Sequence, residues 1–348
     1  MREYKEHLIN SGECIKNALV QLTNLGSDPI LFVIDSQSKL IGSITDGDVR
    51  RGLISGKTLE DNIDSIIRTK PRFIRKGEND IDKIVGFREQ NFRILPILDK
   101  DDKVVNVINF SYLNSYLPID VVIMAGGRGQ RLMPMTDTIP KPMLVIGAKP
   151  IIEHNIDRLA KFGIENFWLS INYLGSQLKS YFKEGQSKKI NIQYVEEAQP
   201  LGTIGSLSLI NNFKHDYILV MNSDLLTNID YEKYFIEFVK SKADLSILSI
   251  PYRMTIPYAV LDIENNLIQS FHEKPTYTYH ANGGIYLFKK DVLNNISFNK
   301  FFNATDLIDI LIKQGKKVYS YTHVGYWLDI GSPQDFEKAK IEINNIIF

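Results

Sequence analysis

The segment VVIMAGGRGQRL, residues 121–132, joins an uninterrupted apolar run to a turn that contains three glycines. Glycines in such a turn let the backbone approach phosphates closely, and the exposed amide groups favour anions. The turn ends in Gly129-Gln130-Arg131, whereas a P-loop ends in Gly-Lys followed by Ser or Thr. A dinucleotide-binding loop requires a third glycine where Leu132 stands. The segment therefore predicts a phosphate-binding turn that belongs to neither of these two classes.

Short apolar runs alternate with helical stretches from the run before this turn onward. They are Val121–Met124, Ile151–Phe162, Asn166–Ile171, Gln177–Phe182, Ile190–Val195 and Ile218–Met221. Such alternation predicts the α/β class, with a Rossmann-like, mostly parallel sheet that is covered by helices. Because such sheets bind ligands at the carboxyl ends of their strands, we expect the glycine turn to lie at the binding edge.

Length and composition indicate a soluble protein of two domains. Pro118 prevents a helix from continuing, so we predict domains at residues 1–117 and 119–348. The 41 basic and 41 acidic residues cancel, which predicts no binding of nucleic acid or of a membrane surface. The single cysteine, Cys14, excludes an intrachain disulfide. Neither a secretory signal nor an apolar run of about eighteen residues is evident, so a cytoplasmic location is expected.

The first 117 residues contain a degenerate internal repeat. Residues 30–35, ILFVID, are echoed by residues 94–99, ILPILD, and residues 40–45 are echoed at the same offset by residues 104–109. Each copy predicts two β-strands that are separated by a polar turn and flanked by helices. Two such copies would bury their sheets against each other.

The repeat resembles a tandem pair of CBS domains, most closely in GSITDGDVRR, residues 42–51. In CBS domains a Ser or Thr, and an Asp three residues later, hold the ribose hydroxyls of a nucleotide. The resemblance assigns these roles to Thr45 and Asp48, and so implies a regulatory nucleotide. The alternative is that Asp46 and Asp48 only cap a helix and that the pair is a dimerisation surface. A homodimer built through this module is expected.

The glycine turn and the residues after it resemble the signature of the sugar-1-phosphate nucleotidyltransferases. Pro134, Thr136 and the KPM sequence at 141–143 complete that signature. Further segments similar to the family follow in order: EEAQPLGT at 196–203, NSD at 222–224, EKP at 273–275, NGGIY at 282–286 and WLDIG at 327–331. One departure is Ser223, where the family more often has glycine before its metal-binding Asp. The resemblance implies an enzyme that transfers a nucleoside monophosphate to a sugar 1-phosphate.

The resemblance also implies which residues form the site. It assigns catalytic roles to Arg131, Lys141 and Lys274, and the binding of Mg²⁺ to Asp224 and Asp329. It assigns the binding of the sugar to Glu273, Asn282 and Gly283. The residues assigned to the nucleotide are Ala125, Gly126, Gly127, Gly129, Glu197, Gly202 and Thr203. The residue types suit the reaction, because a sugar 1-phosphate has a second pKa of about 6 and needs no general base. Cations and a divalent metal lower the barrier between this anion and a triphosphate. Considered singly, each Lys or Asp is typical of solvated surface.

The base and the sugar are inferred more finely. Guanine presents adjacent N–H donors that a carboxylate accepts, and Glu197 stands where related uracil or thymine readers more often have Gln, so GTP is the expected donor. A CBS pair ahead of this domain resembles the glucosamine-1-phosphate guanylyltransferases of bacterial legionaminic acid biosynthesis. Mannose 1-phosphate is the alternative acceptor, and uridylyl or cytidylyl transfer to another hexose 1-phosphate remains open. A protein of another class, a catalytically silent nucleotide sensor, is disfavoured by the intact cations and carboxylates.

Overall fold

The structure is a computed structural model that describes residues 4–77 and 80–345. The chain divides into two compact units, Met1–Leu117 and Pro118–Phe348. Within the described residues, no helix combines the length and apolar character that a membrane span requires.

The first unit contains two small sheets of three strands each, with the orders β1-β2-β3 and β4-β5-β6. Its elements are β1 (Leu8–Asn10), α1 (Ile15–Leu25), β2 (Ile30–Ile34), β3 (Leu40–Thr45), α2 (Asp46–Ile54), β4 (Ile74–Arg75), α3 (Ile81–Glu89), β5 (Ile94–Leu98) and β6 (Val104–Asn109). In each sheet the middle strand is parallel to the first and antiparallel to the third. Apolar faces of α1, β2 and β3 form the core of the first repeat.

The two sheets have matching registers. Ile30 lies opposite Thr45 in one sheet, as Ile94 lies opposite Asn109 in the other. Asp35 accepts backbone hydrogen bonds from residues 37 and 39, and Asp99 repeats this with residues 101 and 103. The two turns also exchange backbone bonds with each other, from residue 40 to 102 and from 104 to 38. The predicted internal repeat is therefore confirmed, and its copies meet at their turns.

The second unit is built on a seven-stranded sheet with the order β11-β10-β7-β12-β17-β14-β18. Its strands are β7 (Ile119–Met124), β8 (Val145–Ile146), β9 (Lys149–Pro150), β10 (Asn166–Ile171), β11 (Asn191–Glu196), β12 (Tyr217–Asn222), β13 (Leu225–Thr227), β14 (Leu245–Thr255), β15 (Val260–Glu264), β16 (Leu267–His272), β17 (Thr276–Lys289), β18 (Val318–Thr322) and β19 (Trp327–Asp329). Its helices are α4 (Ile151–Lys161), α5 (Gly175–Phe182), α6 (Tyr231–Ser241), α7 (Ala304–Lys313) and α8 (Pro333–Glu342).

The predicted parallel-rich sheet is confirmed, with one difference. Neighbouring strands from β11 to β12 run parallel, as do β14 and β18. Strand β17 instead runs antiparallel to both of its neighbours, β12 and β14. The buried apolar runs of β7 and β10 are those expected of strands covered on both faces.

An exposed arm extends from this sheet. It consists of the outer part of β14, the outer part of β17 and the hairpin β15–β16, which together span residues 252–282. Nearly all of its side chains are exposed, including Phe271 and Ile263.

Candidate active site

A cavity of about 910 Å³ lies at the carboxyl ends of the parallel strands. Met124, at the end of β7, Asn172, just after β10, and Asn222, at the end of β12, all line it. The cavity also gathers most of the residues predicted for the nucleotide and for catalysis. These are Gly126, Gly127, Gly129, Arg131, Lys141, Glu197, Gly202, Thr203 and Asp224.

Ala125 is the exception within the glycine turn. Its side chain is 1% exposed, and its N–H donates to Ser170 O at 2.8 Å. This bond continues the ladder between β7 and β10 by one residue before the chain turns. Ala125 is therefore buried and does not line the cavity, and its assignment to the nucleotide stays a prediction. The turn itself is tied down by Thr136, whose hydroxyl donates to Gly129 O at 2.9 Å.

A pairing of two short strands brings the two predicted metal ligands together. Strands β13 and β19 are antiparallel, with Leu225 opposite Asp329. The N–H of Ile330 donates to Asp224 O at 3.0 Å. Asp224 and Asp329 thus sit at one end of the same two-stranded ladder. The Lys141 ammonium, largely buried, contacts Asp224 Oδ2.

The electrostatics of this pair are unusual. Burial raises the pKa of Asp329, and the neighbouring charge of Asp224 raises it further, against the opposing effects of Lys141 and Arg131. The Arg131 guanidinium passes beside the backbone here, since a Cβ added to Gly331 would lie 3.4 Å from Arg131 Nη1. Arg131, Lys141 and Asp224 line the cavity, and Asp329 lies beside them although it is not part of the cavity wall.

The carboxylates fit a divalent cation. Asp224 Oδ1 and Asp329 Oδ1 are both buried and have no hydrogen-bond partner within the described part of the chain. Buried carboxylate oxygens without donors are costly unless a cation binds them. Mg²⁺ takes hard oxygen ligands and is commonly held by one or two carboxylates together with substrate phosphates. No cluster of three or more His, Cys, Asp or Glu side chains arranged for a metal occurs in residues 4–77 and 80–345.

Glu197 lines the same cavity in a fixed orientation. Ser170 Oγ donates to Glu197 Oε1 at 2.6 Å, and the Leu201 N–H donates to Oε2 at 3.0 Å. Asn172 Nδ2 donates to the Glu197 backbone carbonyl at 2.6 Å. An ionised carboxylate offers about four acceptor positions, so these bonds leave capacity for two further donors.

Gly202 and Thr203 connect two segments that are distant in the sequence. Gly202 has a φ of +79°, and an added Cβ would lie 2.7 Å from Phe302 O. The Thr203 hydroxyl accepts from the Ala304 N–H at 2.7 Å, at the start of α7. Both residues therefore have structural roles in addition to their position in the cavity wall.

Glu273 and Lys274 are not brought to the cavity. Both side chains are exposed at the junction of β16 and β17, within the arm, and neither lines the cavity wall. The structure thus separates Lys274 from Arg131 and Lys141, because the EKP segment follows a hairpin that projects into solvent.

Asn282 and Gly283 also lie outside the cavity wall. Asn282 Nδ2 donates to the Tyr286 hydroxyl at 2.8 Å, and its side chain lines a separate cavity of about 230 Å³. The carbonyl of Gly283 accepts from Trp327 Nε1 at 2.9 Å. These contacts belong to β17 and its packing against β19, and the assignment of both residues to the sugar stays a prediction.

Several cavity residues were not assigned a role from the sequence, and Arg128, Asn172 and Phe301 are among them. Arg128 lies over the Tyr173 ring, 5.9 Å from its centroid. Asn172 contacts Glu197. Phe301 also lines the cavity, and it lies outside all of the recognised sequence motifs. Arg128 stands inside the glycine turn, so the motif could have identified it, whereas no local pattern points to Asn172 or Phe301.

In the first unit, Asp48 is a helix cap rather than an open ligand. It is 5% exposed and accepts hydrogen bonds from the Thr45 hydroxyl at 2.6 Å and from Arg68 Nε at 2.8 Å, and it also contacts Arg51. Burial alone would raise the pKa of Asp48, but these donors together lower it. A cavity of about 720 Å³ is lined by Thr45 but not by Asp48. The structure therefore favours the capping alternative for Asp48, because its oxygens are already engaged.

Comparisons with known proteins agree with this geometry. The profile of the Nucleotidyl transferase family matches residues 120–345. A mannose-1-phosphate guanylyltransferase of Mycobacterium tuberculosis is 30% identical over 65% of this chain, which spans 64% of that protein's length. A D-glycero-alpha-D-manno-heptose 1-phosphate guanylyltransferase of Aneurinibacillus thermoaerophilus is 30% identical over 66% of this chain and 100% of its own. A crystal structure of HddC from Yersinia pseudotuberculosis complexed with GMP-PN superposes with a TM-score of 0.51 at 27% identity, covering 64% of this chain and 99% of that one. The chain belongs to the nucleotidyl transferase family.

Proposed function

We propose that the second unit transfers GMP from GTP to a sugar 1-phosphate and releases pyrophosphate. The observation that carries the proposal is the convergence of the glycine turn, Arg131, Lys141 and Asp224 in one cavity, with Asp329 beside Asp224. Family membership and the guanylyltransferase names of the relatives support it.

In the proposed reaction, a phosphate oxygen of the sugar 1-phosphate bonds to the α-phosphorus of GTP as the bond from that phosphorus to the β-phosphate oxygen breaks. The electron pair of that bond leaves with pyrophosphate, and no proton transfer is required. Arg131 and Lys141 offset the charge of the triphosphate, which is the main barrier to the approach of two anions. Asp224 and Asp329 would hold Mg²⁺, which when bound adds positive charge beside the phosphates.

The cation and the carboxylate can be tested directly. Lys141→Ala and Asp224→Ala should each lower the rate of transfer by at least about 100-fold, as removal of one preorganised charge commonly does. Lys313→Ala, on the exposed side of α7, is the matched control and should keep full activity. Folded Lys141→Ala or Asp224→Ala protein with near-normal turnover would contradict the assignment.

Glu197 supports guanine as the base, because its oriented carboxylate retains acceptor capacity for adjacent N–H donors. Glucosamine 1-phosphate is the proposed acceptor, on the resemblance to the legionaminic acid enzymes. Mannose 1-phosphate is the alternative, and the name of one relative adds a heptose 1-phosphate to the candidates. Glu273, Lys274, Asn282 and Gly283 are kept as the proposed sugar side of the site.

A substrate panel tests both choices. Four nucleoside triphosphates are crossed with glucosamine, mannose, glucose and heptose 1-phosphates, pyrophosphate release is measured, and products are identified by mass spectrometry. We expect GDP-glucosamine from GTP and glucosamine 1-phosphate. Another GDP-sugar would correct the acceptor, a product with another base would correct the donor, and silence across the panel would favour the nucleotide sensor.

For the first unit, we propose a CBS-type site that binds a regulatory nucleotide. We also propose that this unit forms a homodimer. Its cavity is lined by four cationic side chains, Arg68, Lys70, Arg72 and Arg93, with Asp28 as the acidic member. This balance favours an anionic ligand. Titration of the full chain with adenine and guanine nucleotides should detect binding that Arg72→Ala and Arg93→Ala weaken. Sedimentation equilibrium tests the dimer.

A further inference from the structure

An aromatic side chain without a structural role lines the nucleotide cavity. Phe301 is 63% exposed, yet it is part of the cavity wall that also contains Glu197 and the glycine turn. An exposed phenyl ring in a cavity wall presents an apolar face on which a flat ligand can stack. We propose that Phe301 stacks on the base of the bound nucleoside triphosphate, a role that rests on the nucleotidyl transfer proposed above.

The backbone beside the ring is held against the segment that follows Glu197. The Phe302 N–H donates to Leu201 O at 2.9 Å, and the Ile204 N–H donates to Phe302 O at 3.1 Å. Through these two bonds the backbone of residue 302 both donates to and accepts from residues 201–204. The position of the Phe301 backbone is therefore set by the same segment that carries the proposed base reader.

Two glycines make this close approach possible. A Cβ on Gly202 would lie 2.7 Å from Phe302 O, and a Cβ on Gly205 would lie 2.5 Å from Lys300 O. Both distances are too short for any side chain, so the 300–302 backbone can occupy this place only beside glycine. Residues on both sides of Phe301 are thus packed against the cavity wall.

The neighbouring aromatic residues behave differently. Phe302 packs against the core beneath the sheet, which anchors the segment from below. Phe298 is 70% exposed but is not part of the cavity wall. Phe301 alone among these three combines exposure with a place in the cavity, and Phe298 provides a matched control for the loss of an exposed ring.

Stacking and edge recognition have separable consequences. A ring face attracts any base, because every base has a π-face, whereas a carboxylate distinguishes bases by their donors. Loss of Phe301 should therefore weaken all triphosphates by similar factors. Loss of the Glu197 carboxylate, in Glu197→Gln, should instead change the preference for GTP over the other triphosphates.

The experiment compares wild type with Phe301→Ala, Phe301→Tyr and Phe298→Ala in the full chain. Binding of GTP, ATP and UTP is measured by calorimetric titration, and KM and kcat are measured for the best substrate pair. We expect Phe301→Ala to raise the Kd and KM for GTP by about 5- to 150-fold, the range expected for one base on one aromatic ring, with kcat little changed. Phe301→Tyr should restore binding, and Phe298→Ala should match wild type.

An unchanged Kd for GTP in Phe301→Ala overturns the proposal, as does an equal loss in Phe298→Ala. A rise confined to the KM of the sugar 1-phosphate would assign the ring to the acceptor instead and would also overturn it. The two proposals fail independently. Wild type that binds GTP without forming product refutes the transfer reaction, whereas active wild type with unaltered GTP binding in Phe301→Ala refutes stacking.

Discussion

At the scale of single residues, the site is marked by two neighbouring carboxylates whose hydrogen-bonding capacity is only partly used. Asp224 and Asp329 each keep one buried oxygen without a donor, and burial together with their proximity raises the pKa of Asp329. Lys141 offsets part of this repulsion through its contact with Asp224. Such an arrangement is unfavourable in the free protein and useful once cations and phosphates arrive, as is common where function and stability conflict.

Replacing one of the two carboxylates should therefore stabilise the folded protein and abolish its activity. Asp329→Asn removes the repulsion with Asp224 and keeps a side chain of similar size. We expect the metal-free variant to melt about 2–4 °C higher than wild type, the shift that corresponds to roughly 1 kcal/mol in a domain of this size. Calorimetry in EDTA provides the measurement, and a lower melting temperature for the variant would show that the repulsion is not significant.

A second residue-scale prediction concerns pH. Burial lowers the pKa of His323 below its usual 6.5, and Arg158 lowers it further, against a contact of the imidazole with Tyr326 O at 3.1 Å. The unfolded chain therefore takes up a proton at higher pH than the folded chain. The stability that the neutral ring contributes is complete above pH 6.5 and is lost as the pH falls through the lower, folded pKa.

We expect His323→Gln to lose less stability than wild type between pH 7 and pH 5. Urea unfolding followed by tryptophan fluorescence measures this, because both tryptophans belong to the second unit. Equal losses in the two proteins would show that His323 does not contribute to the acid sensitivity.

At the scale of elements, two connections between distant segments position the site. The β13–β19 pair places Asp224 beside Asp329, and the 201–205 segment holds residues 300–304 against the cavity wall. The sequence motifs that these segments contain were predictable, although β13 and β19 were not among the predicted strands. The antiparallel course of β17 and the exposed position of the arm were not predictable, because both follow from which strand a segment meets.

The second connection can be tested by filling the space that it uses. An added Cβ at Gly205 would lie 2.5 Å from Lys300 O, so Gly205→Ala must displace backbone. We expect a loss of about 1–3 kcal/mol in the free energy of unfolding, the usual cost of overpacking. Gly86→Ala, in helix α3 with open space around it, is the control of opposite sign and should stabilise by about 0.5–1 kcal/mol. An unchanged free energy of unfolding in Gly205→Ala would show that the 300–302 backbone can shift without cost.

At the scale of the whole molecule, the cavity belongs to one unit. All residues that line it lie after Pro118, and the family profile also begins there, at residue 120. The relative from Aneurinibacillus thermoaerophilus is matched over its full length by this part of the chain.

Residues 118–348 alone should therefore fold and retain catalysis. We expect kcat for the truncated protein to stay within about tenfold of wild type. This corresponds to a change of at most about 1.36 kcal/mol in the activation free energy. Any response to a regulatory nucleotide should disappear with the first unit. A folded but inactive fragment would show that the first unit is needed for catalysis.

Local pattern was sufficient to identify the internal repeat, the parallel-rich sheet and the glycine turn at its carboxyl edge, because each depends on spacing along the chain. The resemblance to the sugar-1-phosphate nucleotidyltransferases pointed to Arg131, Lys141, Asp224 and Glu197, which the fold gathers into one cavity. The tertiary structure alone decided that the Asp48 carboxylate is engaged by Thr45, Arg51 and Arg68, that Ala125 is buried outside the cavity wall, and that Phe301 lines that wall. These outcomes depend on contacts between segments that are remote in sequence, and such contacts are determined by packing rather than by local composition.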